Sequence, residues 1–114
     1  MIRQFLTLGI GASQATITGT RRAMGYQQIL NATLAASTGI VMPNLANFPG
    51  IVVGYAMIQS NGGAVRWRDD GVAPTATVGM LIPLGGELDY AGDVAALRFI
   101  SSSGTPIVDV TVYA

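Results

Sequence analysis

Cysteine, histidine and lysine are all missing from this chain of 114 residues. Without cysteine there is neither a disulfide frame nor a thiol nucleophile. Without histidine there is no imidazole base, and without either residue there is no Cys/His zinc site. Without lysine a phosphate-binding P-loop is excluded. Charge is scarce as well, at 11% of residues against about 25% in an average globular chain. The six basic residues balance six acidic ones, for a formal net charge of zero. That balance excludes a generic basic clamp on nucleic acid and an acidic disordered tail. Long apolar runs are lacking too. The most apolar stretch, residues 39–58, is interrupted by Pro43, Asn44, Asn47, Pro49 and Gly50, whereas a membrane-spanning helix needs about 20 mostly apolar residues. Residues 1–6 contain Arg3, but no apolar stretch of signal-peptide length follows, so no secretory leader and no membrane contact are expected. The absence of cysteine suits assembly in a reducing cytoplasm.

Half of the residues are hydrophobic, and a chain of this length buries roughly 60–70% of its unfolded surface. One domain, residues 1–114, is expected. All the cations are arginine. Arginine is favoured where protein meets protein, because its planar fork bonds carboxylates in pairs and stacks on rings. Low charge, arginine without lysine and a high apolar content point to a subunit whose surface contacts other subunits. Arginine without lysine also follows from codon bias in a GC-rich genome.

Residues 51–114 read as a strand-rich core. Residues 106–114 alternate, with Ile107, Asp109, Thr111 and Tyr113 on one face and Val108, Val110 and Val112 on the other, the pattern of a half-buried strand. Residues 51–59 form another β run. It meets Ser60-Asn61-Gly62-Gly63 and then Ala64–Arg68, which reads as a hairpin about Asn-Gly. Val65 and Trp67 share one face of the second arm, Arg66 and Arg68 the other. Residues 77–82, 87–90 and 94–100 are further β runs, separated by turns at 83–86 and 91–93, with a last loop at Ser101–Gly104. Between Arg21 and Ser37 a helical i, i+4 spacing of Tyr26, Leu30 and Leu34 competes with strand alternation over 27–34. Weak caps and frequent threonine favour the strand. Residues 38–50 read as loop, and residues 1–26 either as an extended N-terminal arm or as additional strands. The class expected is an all-β, antiparallel β-sandwich or jelly-roll-like domain.

Few constellations carry chemistry. Gly9-Ile10-Gly11 begins like a dinucleotide-binding loop, but the third glycine and the following helix are absent. Asp69, Asp70, Glu87, Asp89 and Asp93 match no calcium-loop spacing and suit turn chemistry. Paired carboxylates serve glycosidases, yet a chain this short leaves little room for a sugar cleft. No catalytic, cofactor-binding or metal-ligating residue and no small-molecule substrate is therefore assigned, and the protein is read as not an enzyme. Arg66, Trp67, Arg68, Asp69 and Asp70 read as a bracing or self-association element rather than a base-stacking one. The residues assigned to partner contact are Arg3, Arg21, Arg22 and, in the 38–50 loop, Pro43, Asn44 and Phe48.

The run Val65–Met80, with Arg66-Trp67-Arg68-Asp69-Asp70-Gly71 at its head, resembles a segment of small structural proteins of tailed bacteriophages. The likeness continues through Gly85–Tyr90 and Gly92–Ile100 and ends in the alternating strand 108–113, covering about residues 51–114. It implies a virion-associated β-sandwich of the capsid cement or decoration kind, usually trimeric. Such a subunit binds across the major capsid protein on the capsid surface after assembly in the host cytoplasm. Two other virion roles stay open: a tail, collar or spike component binding host glycan through Tyr26, Tyr55, Tyr90, Tyr113 and Trp67, and a head–tail joining protein.

Overall fold

The computed structural model describes residues 21–114, together with the backbone of residues 8, 9, 11 and 12. Leu8–Gly9 (β1) and Gly11–Ala12 (β2) form a short antiparallel ladder. The rest of residues 1–20, including Arg3, lies outside the described residues. Ala23–Ile29 (β3), Thr38–Gly39 (β4), Tyr55–Arg68 (β5), Met80–Ile82 (β6), Glu87–Ala91 (β7) and Arg98–Tyr113 (β8) follow, with 3-10 turns at Thr33–Ala35 and Val94–Ala96. The all-β antiparallel expectation holds, and no α-helix occurs among the described residues. The strands β3 to β8 form one continuous hydrogen-bonded sheet.

The sheet is organised by a ribbon of two long strands. β5 has 14 residues and β8 has 16, and they pair antiparallel from Tyr55↔Tyr113 to Arg68↔Arg98. In one half of the ribbon, β8 takes β3 as its outer neighbour and β5 takes β7. In the other half, β8 takes β4 and β5 takes β6. The order is thus β3-β8-β5-β7 in the first half and β4-β8-β5-β6 in the second.

The halves join where two turns were expected. Asn61-Gly62-Gly63 does not reverse the chain. β5 runs through it with register shifts between Asn61 and Gly63 and between Ala64 and Val65. The loop expected at Ser101–Gly104 is likewise interior to β8, and Gly104 is the register partner of Gly63. These are β-bulges, which bend a strand and increase its twist. A Cβ on Gly63 would overlap the Ser103 carbonyl oxygen, and one on Gly104 would lie 2.9 Å from the Gly62 oxygen. Glycine is required there because the two backbones touch. The two sites that look like separate turns are one site of close approach between paired strands.

The turn expected at 83–86 does form. Gly86 N–H donates to the Pro83 oxygen at 2.8 Å, and Gly85 has φ of 74°, the positive value that the third position of a type II turn requires. Residues 94–96 form a 3-10 turn instead of strand, so β8 starts only at Arg98. Pairing with β8 from Ala23↔Tyr113 to Ile29↔Val108 makes residues 23–29 strand, but the strand expected over 27–34 stops at Ile29 and Thr33–Ala35 is a 3-10 turn. The 38–50 loop gives up only Thr38–Gly39, which pairs with Arg98 and Phe99.

One apolar cluster lies against the inner faces of both halves. Ala56, Ile58, Val108, Val110 and Val112 come from the first half, Val65, Ile82 and Phe99 from the second, and Leu34, Val94 and Leu97 from the 3-10 segments and the approach to β8. Phe99, Leu34, Val65 and Leu97 are completely buried. The alternation expected in 106–114 and across Leu97-Arg98-Phe99 holds: the inward residues are buried, and the outward ones are exposed or half-buried. The buried hydroxyl of Ser60 donates to the Gly63 oxygen at 2.8 Å, satisfying inside the core a carbonyl that the bulge would otherwise strand.

Candidate functional site

The outward side chains of the first half form a regular grid, because cross-strand partners point to the same face. One row is Gln28, Asp109, Gln59 and Glu87. The next is Tyr26, Thr111, Met57 and Asp89. The last holds Tyr113 and Tyr55. Between the rows runs a groove of about 360 Å³ lined by Tyr26, Met57, Gln59, Glu87, Asp89 and Asp109, among others, with no arginine in its lining. Asp109 is held from both sides: Tyr26 Oη–H donates to Oδ1 at 2.7 Å, and Asn61 Nδ2 donates to Oδ2 at 2.6 Å. That hydrogen bond to the carboxylate raises the Tyr26 phenol pKa above its usual value. Glu87 accepts only a long bond from Gln59 Nε2, at 3.5 Å. The alternation of 107–113 already placed Asp109, Thr111 and Tyr113 on one face. What single-strand patterning missed is the neighbour: only the β5–β7 and β5–β8 registers bring Glu87 and Asp89 beside them.

The end of this half forms a second surface. Arg21 stacks over the Tyr55 ring, with Cζ 3.8 Å from the centroid, and Tyr55 packs against Tyr113 at 5.6 Å between centroids. Arg22 exchanges two backbone hydrogen bonds with Ala114, at 2.9 and 3.0 Å. Arg22, Met24, Phe48, Ile51 and Ala114 surround a cavity of about 240 Å³, and Val52 lies beside Arg21 and Ala114. Of the assigned contact residues, the fold therefore brings together Arg21, Arg22 and Phe48. Pro43 is elsewhere, in a shallow site beside Tyr26, Gln27 and Val41, where the Gln27 amide clasps the Val41 backbone. The Asn44 Oδ1 accepts from Ala46 N–H at 2.9 Å, a local turn bond. Ile51 and Val52, at 44% and 78% exposed, were not singled out from the sequence, since an apolar β run carries no sign of which end lies outside the sheet.

The Arg66–Asp70 run sits at the far end of the ribbon. Arg66 donates to the backbone oxygens of Ala76 at 3.3 Å and Gly79 at 2.9 Å, tying down the loop between β5 and β6. Arg68 forms a two-bond ion pair with Asp70, at 3.0 and 2.5 Å, which holds the Asp70 carboxyl below the usual carboxylate range. Trp67 meets Tyr90 edge-on at 5.8 Å, and Tyr90 Oη–H donates to Asp69 at 2.6 Å. Burial, with the Asp69 carboxylate second, pushes the Tyr90 phenol up to about 12. Asp69, Asp70, Glu87, Asp89 and Asp93 do not converge: among the described residues no three of them meet in a metal-holding group.

No family model, no curated protein and no solved structure matches this chain.

Proposed function

We propose that this chain is a non-enzymatic structural subunit of a tailed-phage virion, most simply a cement or decoration protein bound across major capsid subunits. The observation that carries the reading is the end surface, where Arg21, Arg22, Phe48, Ile51 and Val52 meet beside the paired ends of β5 and β8. An exposed apolar patch flanked by guanidinium groups is the composition of an interface. Repetition over a lattice multiplies a contact of standard size, ~1,600 Å². The virion assignment itself rests on the resemblance over residues 51–114.

Copy number per purified particle, measured by quantitative mass spectrometry against the major capsid protein, tests it. A ratio near one, or a simple lattice fraction of one, is expected. A few to a few dozen copies would overturn the cement role in favour of a tail, collar or head–tail joining role. The glycan-binding alternative gains from Tyr26, Tyr55 and Tyr113 sharing one face. It loses Trp67 and Tyr90, which pack on each other against the core: Tyr90 is the register partner of the buried Ala56, on the opposite face of the sheet from those tyrosines.

A further inference from the structure

The two ends of the ribbon carry opposite charge on their outward faces. In the first half the outward strand charges are Glu87, Asp89 and Asp109, with Arg21 stacked over Tyr55 at the end of the same face. In the second, Arg68 and Arg98 are register partners and Arg66 lies two residues along the same face of β5. Arg68 is paired to Asp70 and Arg66 is engaged by backbone. Arg98 is exposed, and among the described residues no carboxylate forms a salt bridge with it. At the acidic end, Glu87 and Asp89 are exposed, and Asp109 is braced by Tyr26 and Asn61. Tyr26 and Met57, 63% and 43% exposed, add apolar area beside these carboxylates. The tyrosines at this end already hold one guanidinium, Arg21 over Tyr55, so their environment suits a flat cation.

We propose that the groove between Tyr26, Met57, Asp89 and Asp109 is the docking site for a second copy of this chain, whose Arg98 end enters it head-to-tail. The choice of occupant rests on charge complementarity. A groove with three carboxylates and no cation in its lining favours a positively charged partner. Among the described residues Arg98 is an exposed guanidinium with no salt bridge in the other half of the sheet, whereas Arg21 and Arg22, which also have none, lie at the groove's own end. Arg98 and Asp109 lie on β8 on either side of the bulges, each on an outward face turned away from the common core, so they meet only between copies. Both halves turn their inner faces to one core and their outer faces away from it. A copy seated in the groove therefore leaves its own groove open to the next. Such a heterologous contact closes into a ring, a trimer among them, or extends as a filament. The inference deepens the self-association in the reading above but involves no capsid partner, so it stands or falls on the free protein.

Sedimentation equilibrium of the full chain at low and high salt tests it, with Asp89→Arg, Arg98→Asp and the double variant alongside. Both sites are exposed, and matching thermal melts show that each variant folds. The wild-type chain is expected to sediment above its monomer mass of 11.8 kDa and to dissociate as salt rises. Each single reversal is expected to weaken association at least tenfold, and the double variant to recover most of it. The proposal is overturned by a monomer at every concentration, by an oligomer that neither reversal weakens, or by a double variant that fails to recover. Saturable binding of a neutral oligosaccharide that competes with self-association would also overturn it, since the groove would then belong to a glycan.

Discussion

Gly63 of β5 and Gly104 of β8 are register partners whose backbones approach so closely that neither strand has room for a side chain. A Cβ on Gly63 would overlap the Ser103 oxygen and sit 2.8 Å from Pro106 Cδ. The neighbours there are backbone and a proline ring, which cannot swing aside. Gly63→Ala is expected to destabilise the fold by roughly 1–3 kcal/mol or more, as overpacking does. Gly104→Ala is expected to cost at least as much, because Gly104 also has φ of 69°. Thermal melts check this, at roughly 5 °C per kcal/mol for a domain near 100 residues. Alanine at Gly71 is the control. It has a positive φ of 83° but nothing within 4 Å of the added carbon, so its cost is backbone strain alone.

The same bulge depends on Ser60, which is fully buried and donates to the Gly63 oxygen. Its backbone is also committed: Ser60 N–H donates to Gly86 and its oxygen accepts from Gly85. Ser60→Ala removes only the hydroxyl and leaves the Gly63 carbonyl without that donor in the core. A loss of roughly 1–3 kcal/mol is expected from denaturant melts. Ser60→Thr keeps the donor, and is expected to recover part of that loss if the core accommodates the extra methyl.

The parts legible from sequence were those governed by short-range alternation. Val108, Val110 and Val112 turn inward, Leu97 and Phe99 flank an outward Arg98, and Pro83–Gly86 turns as its residues demand. What misled was glycine. Asn61-Gly62-Gly63 and Ser103-Gly104 each look like a chain reversal when seen alone, because a turn and a bulge ask for the same conformational freedom. Only the pairing of one with the other, some 40 residues apart, shows that both are close-approach sites within long strands. The candidate surfaces were half legible for a related reason. Arg21, Arg22 and Phe48 stood out by residue type, and the strand pattern gave the outward face of Asp109. The neighbours that complete each surface, Ile51 and Val52 at one and Glu87 and Asp89 at the other, arrive through cross-strand register, which no single strand encodes.

Tyr90 makes stability sensitive to alkali. Its phenol ionises at about 12 in the folded protein against about 10 in an unfolded chain. Between those values the folded state binds the extra proton, so stability present below pH 10 is lost as pH rises toward 12. In Tyr90→Phe this part of the alkaline decline is expected to vanish, although the variant starts lower because the bond to Asp69 is gone. Ultraviolet titration near 295 nm is the check: the step at about 12 in the wild-type chain is expected to lose one tyrosine's amplitude in the variant.

Arg66 is positioned to restrain the loop between β5 and β6. It donates to Ala76 and Gly79, and Ser102 adds a bond to the same Ala76 oxygen at 2.8 Å. Arg66→Ala is expected to cost roughly 1 kcal/mol per lost bond at most, and to speed amide exchange at residues 75–79 before any change in the core strands. Arg66→Lys restores charge but not the forked donor set, so it is expected to recover little protection. Hydrogen exchange resolved by mass spectrometry separates the two effects.

Val52 separates surface function from stability. It is 78% exposed, beside Arg21 at the end of the sheet, so folding gains little from its side chain. Val52→Asp is expected to change the melting free energy by no more than about 0.5 kcal/mol, as surface substitutions away from special features do. If the end surface is what grips the capsid, the same substitution places a carboxylate in an apolar contact and sets it beside the arginines that would face the partner. Occupancy on purified heads should then fall at least tenfold, equivalent to about 1.4 kcal/mol of binding. Arg98→Asp, at the other end of the ribbon, is expected to disturb self-association while leaving direct capsid affinity of the monomer unchanged. Full occupancy by a folded Val52→Asp subunit would remove the end surface from the contact and leave the cement reading without its footing.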